Sequence, residues 1–215
     1  MKAPFKPRSL PLEKIDWPSL VSLISESNAQ LARYDGLLDS IPDADALLSP
    51  LMTQEAVLSS KIEGTQATLE EVLEFEVAPD VMAGKQADIE EILNYRTALN
   101  VAEKELKERP FCLNLIKGLH FILLDGVRGQ NKARGEFRTT QNWIGKPGTP
   151  MDQASYIPPS PDLLMEYLSN WEHYCHYEGK DKLVQLSIIH AQLEIIHPFL
   201  DGNGRIGRIL IPLFL

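Results

Sequence analysis

His197-Pro198-Phe199-Leu200-Asp201-Gly202-Asn203-Gly204-Arg205-Ile206-Gly207-Arg208 is the stretch of this 215-residue chain from which the rest is read. Gly202 and Gly204 permit a tight turn whose backbone N–H groups can point into one space. A helix following that turn offers its N-terminus to the same space, which makes an anion cradle. Arg205 and Arg208 are spaced i, i+3, so on a helix both guanidinium groups are expected on one face beside the cradle, ready to fork onto phosphate oxygens. Asp201 is a carboxylate placed where a phosphate-bound Mg²⁺ would sit, since Mg²⁺ usually takes one or two carboxylates plus phosphates. His197 closes the preceding helix and can serve as a base near neutral pH.

Taken singly, each feature has a plainer structural explanation. A histidine before proline, an Asp-Gly-Asn-Gly turn and an exposed arginine pair are all ordinary. An EF-hand fails here, because its fifth position would be Arg205 and its required sixth-position glycine is Ile206. A Walker loop fails for want of a Gly-Lys-Ser/Thr ending. Base, carboxylate, glycines and two arginines within one short run point instead to phosphate chemistry.

Outward from this stretch, helical signals dominate and the fold class is mainly α. Residues 183–196 are apolar almost all round, which predicts a central helix buried on most sides. Ser160-Pro161-Asp162 caps a helix reaching about Tyr177. Residues 113–124 place Leu115, Leu119, Ile122 and Leu123 on one helical face. Residues 87–107 repeat Ile89, Ile92, Leu93, Leu99 and Leu106 near helical period until Pro110 stops them. Thr68-Leu69-Glu70-Glu71 has capping-box spacing. Ser49-Pro50 reads as an N-cap with proline at the first helical position, and Gly64 as the stop, predicting a helix over about 50–63. The first forty-odd residues predict an extended arm plus one helix. Residues 139–160 differ: Gly145, Pro147, Gly148, Pro150, Pro158 and Pro159 surround two short stretches, 141–144 and 154–157. That pattern predicts a β-hairpin with a long tip.

Composition narrows the partners. With 21 Lys and Arg against 30 Asp and Glu the net charge is −9, which disfavours nonspecific binding to nucleic acid or anionic membranes. A hydrophobic fraction of 44% fits a packed, soluble protein. No run of about 18 apolar residues could span a membrane. Lys2, Lys6 and Arg8, interrupted by Pro4, Pro7 and Pro11, form no signal peptide. Cys112 and Cys175 read as two buried thiols in a reducing compartment, so a cytoplasmic location is expected. The apolar run 211–215 suggests a further C-terminal domain beyond this chain, and nucleic acid would be a partner only through it.

Residues 197–208 resemble the signature of the Fic family, His-Pro-Phe-x-[Asp/Glu]-Gly-Asn-Gly-Arg-x-x-Arg, with every fixed position filled. Arg134-Gly135-Glu136-Phe137-Arg138, Asn142-Trp143-Ile144-Gly145 and Tyr156-Ile157-Pro158-Pro159 are similar to the segment preceding that signature. The resemblance implies a helical bundle with a β-hairpin flap beside the active site. Residues 1–110 would form an N-terminal helical region with an inhibitory helix at about 50–64. Residues 111–215 would form the catalytic core, with the flap at about 139–160.

The resemblance also implies an activity: Mg²⁺-dependent transfer of AMP from ATP to a Ser, Thr or Tyr hydroxyl of a protein target held at the flap. His197 would take the hydroxyl proton and Asp201 would hold Mg²⁺. Gly202, Asn203 and Gly204 would stabilise the α-phosphate, Arg205 the β-phosphate and Arg208 the γ-phosphate. Ser59-Ser60-Lys61-Ile62-Glu63-Gly64 resembles the family's inhibitory signature, [Ser/Thr]-x-x-x-Glu-[Gly/Asn]. It implies that Glu63, one helical turn beyond Ser59, pairs with Arg208 and takes the γ-phosphate position. Two other readings stay open: phosphotransfer from the same motif, and a nucleotide-sensing interaction module without transfer activity. A homodimer is compatible with the sequence, which does not set the oligomeric state.

Overall fold

The computed structural model describes residues 3–78, 85–146 and 148–214, and the side chains of all of these except residues 45 and 47. Among them run α1 (Trp17–Asp39), α2 (Ala44–Ile62), α3 (Leu69–Val77), α4 (Gln86–Glu108), α5 (Leu113–Leu123), α6 (Leu164–Cys175), α7 (Lys182–Ile196) and α8 (Asn203–Phe214). The chain is mainly α, as its periodicity predicts. α4 packs against α2, α5 and α8, and α7 lies between α6 and α8. Their inward faces merge into one core that includes Ile89, Ile92, Leu119, Trp171, Ile189, Phe199 and Ile209. α7 is buried on most sides: Gln185, Leu186, Ile189, Gln192, Leu193 and Ile196 are all enclosed. None of these helices is long and apolar enough to cross a membrane.

Local chemistry sets the helix ends. Thr68 Oγ1 accepts from Glu71 N–H while the Glu71 carboxylate accepts from Thr68 N–H, the complete capping box that opens α3. Asp181 caps α7 through Val184 N–H at 2.9 Å. α2 does not begin at Ser49. Asp43 is its N-cap, accepting from Ala46 N–H at 3.1 Å, and Pro50 lies inside the helix. A Ser-Pro pair fits a helix start, but a real cap six residues upstream starts the helix first. Pro50 and Ser49 face solvent, where the hydrogen bond that proline cannot donate is least missed.

Among the described residues, the expected β-hairpin is a loop with a single antiparallel bridge, between Ile144 and Tyr156. Ile144 N–H donates to Tyr156 O at 2.9 Å and Tyr156 N–H to Ile144 O at 3.1 Å. Pro150, Pro158 and Pro159 have no N–H to extend the ladder, and residues 151–153 coil into a 3₁₀ turn. Nor is this loop open all along its edge. Phe5 of the extended N-terminal arm donates its N–H to Ile157 O at 2.9 Å, and its ring lies 5.7 Å from that of Tyr156. Pro147, at the expected tip, lies outside the described residues. α6 is preceded by a 3₁₀ turn at Pro161–Leu163 and ends at Cys175, short of Tyr177. Both thiols are free, and Cys112 is only partly buried.

Candidate active site

α7 ends at His197, whose backbone is left-handed with φ of +50°. Arg138 holds that conformation. It is 2% exposed, and its Nε donates to the His197 carbonyl at 2.9 Å. Its Nη2 donates to Pro159 O at 2.5 Å, and its main-chain N–H to Pro198 O at 2.9 Å. Burial pushes the His197 imidazole below the usual histidine pKa, so the ring is neutral at pH 7. Its Nδ1 is buried without a partner of good hydrogen-bond geometry, although the Glu194 carbonyl is near enough to work against the shift.

The loop after His197 is anchored by Phe199, fully buried and stacked on His120 with ring centroids 3.8 Å apart. Gly135 N–H donates to His120 Nδ1 at 2.9 Å, which puts the ring proton on Nε2, and Nε2 donates to the Asp201 carbonyl at 3.0 Å. Asn203 closes the loop on itself, its amide accepting from Phe199 N–H and donating to Phe199 O, both at 2.8 Å. That side chain is therefore turned inward. What Asn203 offers an anion is its N–H, one of the first-turn donors of α8 that have no intrahelical acceptor.

Burial holds His120 neutral, with a pKa of about 4. A depressed histidine contributes stability that is present above its unfolded pKa of about 6.5 and is lost as pH falls toward the folded value. Stability should therefore drop between pH 7 and pH 5 by on the order of 2 kcal/mol from this residue, at about 1.4 kcal/mol per pH unit. Glu91 and Glu194, raised by burial, work in the opposite direction. Urea unfolding at both pH values, compared with His120→Gln, isolates the histidine: the variant should show the smaller acid loss.

Asp201 Oδ1 accepts from Gly202 N–H at 2.7 Å, and its side chain is 38% exposed. Among the described residues no group of three His, Cys, Asp or Glu side chains could hold a metal ion. A single accessible carboxylate suits instead a Mg²⁺ that arrives with nucleotide phosphates.

The two motif arginines part company. Arg205 is 1% exposed, with Nη1 at 3.3 Å from Glu91 Oε2 and Nη2 at 3.7 Å from Asp201 Oδ1. It does not emerge beside Arg208, as the i, i+3 spacing predicts, because the buried Glu91 of α4 draws it under the loop. Its Nε is buried and unpaired. Arg208 points toward the end of α2: Nε donates to Ser59 Oγ at 2.7 Å, and Nη2 donates to Ser59 O at 3.2 Å and to Glu63 Oε1 at 2.6 Å. Ser59 and Glu63 do share one face of α2, and both meet Arg208. α2 ends in paired backbone bonds, Gly64 N–H to Lys61 O and Thr65 N–H to Ser60 O, with Gly64 at φ +101°. This leaves Glu63 at the helix tip. Gly204 admits its carboxylate, because a Cβ at that position would lie 2.6 Å from Glu63 Oε1.

A family model for the Fic/DOC family matches residues 110–215, and one for the Fic/DOC family N-terminal region matches residues 21–104. The chain belongs to the Fic/DOC family. Among curated relatives, this Fic chain is 28% identical over 116 residues to protein adenylyltransferase fic-1 of Caenorhabditis briggsae. That match takes in 48% of the chain and 21% of the relative. It is 35% identical over 80 residues to protein adenylyltransferase Fic of Drosophila grimshawi, 36% of the chain and 15% of the relative. Solved structures share the fold over a much longer span. A Fic family protein from Desulfovibrio desulfuricans G20 superposes with a TM-score of 0.70 at 23% identity, over 98% of this chain and 59% of that one. Fic-1 (residues 134–508) of Caenorhabditis elegans gives 0.68 at 22% identity, over 92% and 58%.

Several residues of this Fic site carry no obvious mark in the sequence. Glu91 reads as one of the solvent-facing charges of α4, although it continues the buried row Tyr95, Ala98 and Ala102 at helical spacing. That row was the available signal. His120 acts by pinning a main-chain carbonyl, which no side-chain pattern reports. Arg138 does the same from within the 134–138 stretch, whose resemblance marks the segment but gives the arginine no role.

Proposed function

We propose that this chain transfers AMP from ATP to a protein hydroxyl and that Glu63 restrains it. The observation that carries the reading is the convergence on one short loop of a neutral His197, an open helix N-terminus, and Arg208 held by a carboxylate from another helix. His197 takes the proton of a Ser, Thr or Tyr hydroxyl. The freed oxygen bonds to the α-phosphorus, the bond from that phosphorus to the bridging oxygen of the β-phosphate breaks, and pyrophosphate leaves with the electron pair. The N–H groups of Asn203 and Gly204 face the developing charge on the α-phosphate, an electrostatic contribution that such donors supply best when fixed in advance. Gly202, whose own N–H is held by Asp201 Oδ1, turns the chain into that helix with its φ of +73°. Arg205, already buried, meets the β-phosphate and Arg208 the γ-phosphate. Asp201 would hold Mg²⁺ brought with ATP, which neutralises phosphate charge when bound. The target segment lies along the flap loop, where Trp143 and Ile144 are exposed. The free thiols fit a reducing compartment such as the cytoplasm.

Autolabelling tests this directly. α-Labelled ATP should mark the protein, and EDTA should reduce the signal. Marking by γ-labelled ATP instead would reassign the reaction to phosphotransfer, and no marking with either, after Glu63 is removed, would leave a nucleotide-binding module.

A further inference from the structure

Arg128, in the loop after α5, has no part in the reading above, yet its guanidinium reaches the same place. Its Nη2 donates to the backbone carbonyl of Glu63 at 3.1 Å and to Glu91 Oε2 at 3.4 Å. That single carboxylate oxygen also receives Arg205 Nη1 at 3.3 Å. Two guanidinium groups thus share one oxygen of one buried carboxylate. The next residue, Gly129, runs so close to Asp201 that a Cβ there would lie 2.9 Å from Oδ2. The loop bearing Arg128 is therefore a wall of the phosphate cradle. Unlike Arg205, whose side chain is 1% exposed, Arg128 is 58% exposed and free to re-aim.

With Glu63 withdrawn, Arg128 and Arg205 still share the one Glu91 oxygen, while Arg208 keeps Ser59 and the nearby Glu194 carboxylate. The nearer of the two acceptors that Arg128 holds, at 3.1 Å, is a main-chain carbonyl at the C-terminal end of α2, an oxygen with only partial negative charge. The other, Glu91 Oε2 at 3.4 Å, is shared with Arg205. A phosphate oxygen carries more charge and makes the stronger bond with a guanidinium.

We propose that Arg128 is a phosphate-binding residue of the opened site. It holds the Glu63 carbonyl while α2 is docked, and it takes an oxygen of the β,γ end of a nucleoside triphosphate when the tip of α2 moves away. This rests on the nucleotide reading above and adds to it a third arginine, from outside the motif, that rewards release of the latch.

The test is calorimetric binding of ATP and of AMP to Glu63→Gly and to Arg128→Ala/Glu63→Gly. Loss of a charge-assisted hydrogen bond should weaken ATP binding roughly ten- to a hundredfold. AMP, which lacks the β- and γ-phosphates, should bind both proteins alike, and Arg128→Lys should recover part of the ATP affinity. Unchanged ATP affinity in the double variant would overturn the proposal. So would a parallel loss of ATP and AMP, which would mean that the loop had merely been disturbed. If Glu63→Gly bound neither nucleotide, the nucleotide reading itself would fail and take this one with it.

Discussion

Replacing Glu63 by glycine should raise autolabelling with α-labelled ATP by about ten- to a hundredfold. The Glu63–Arg208 contact is a charge-assisted hydrogen bond at 2.6 Å, a class worth about 1.5–3 kcal/mol. About 1.4 kcal/mol corresponds to a factor of ten in rate. The Glu63 side chain is 36% exposed, and solvent screening places the effect nearer the tenfold end. Losing the carboxylate does not scatter the arginine. Ser59 still receives Arg208 Nε through its hydroxyl and Nη2 through its carbonyl, so the guanidinium stays aimed while its Glu63-facing donor becomes free. Glycine also fits the helix end, since residue 63 is the C-cap and bears no interior helical hydrogen bond that a side chain must support. Arg208→Ala should not imitate the gain, because it removes the contact for the incoming phosphate as well, and the double variant should remain weak. Side-by-side labelling of the four proteins decides it. If Glu63→Gly labels no better than the unaltered chain, Glu63 is an ordinary surface carboxylate.

What the sequence disclosed about this site follows the range over which its residues cooperate. His197 to Arg208 are consecutive, so their types alone describe a base, a carboxylate and an anion cradle. Ser59 and Glu63 lie one helical turn apart, and that spacing alone puts them on one face. Their partner, however, is 149 residues from Ser59 along the chain, and only the packing of α2 beside α8 brings them together. Arg205 shows the limit of local rules. The i, i+3 spacing places it beside Arg208, but a buried carboxylate 114 residues away turns it inward. A charged side chain buried in a core must be paired, so the position of Glu91, rather than the helical wheel, decides where Arg205 goes. The flap failed for a comparable reason. Turn residues correctly mark where the chain reverses, but the prolines that signal the turns also remove the donors that would zip two strands.

His197→Ala, made in the Glu63→Gly protein so that the starting activity is measurable, should lower the labelling rate by about 10²- to 10⁴-fold, the usual contribution of a positioned general base. ATP affinity should stay nearly intact, because in the proposed arrangement the phosphates meet the N–H groups of the turn and the two motif arginines, not the imidazole. The backbone should keep its course through the change. Arg138 bonds the carbonyl of residue 197 and the carbonyl of Pro198, and neither bond involves the deleted ring. Alanine tolerates the left-handed conformation less well than histidine, which is a cost in stability rather than in phosphate contacts. The acid side of the pH profile separates a base from a merely structural ring. Burial lowers the His197 pKa, so the Glu63→Gly protein should keep its rate through mildly acidic pH and lose it only below the ordinary histidine range, as the ring takes up a proton. The alanine variant has no such group, and its residual rate should lack that acid limb. Labelling close to that of the parent, or an unchanged acid limb in the variant, would transfer the role of base to another residue.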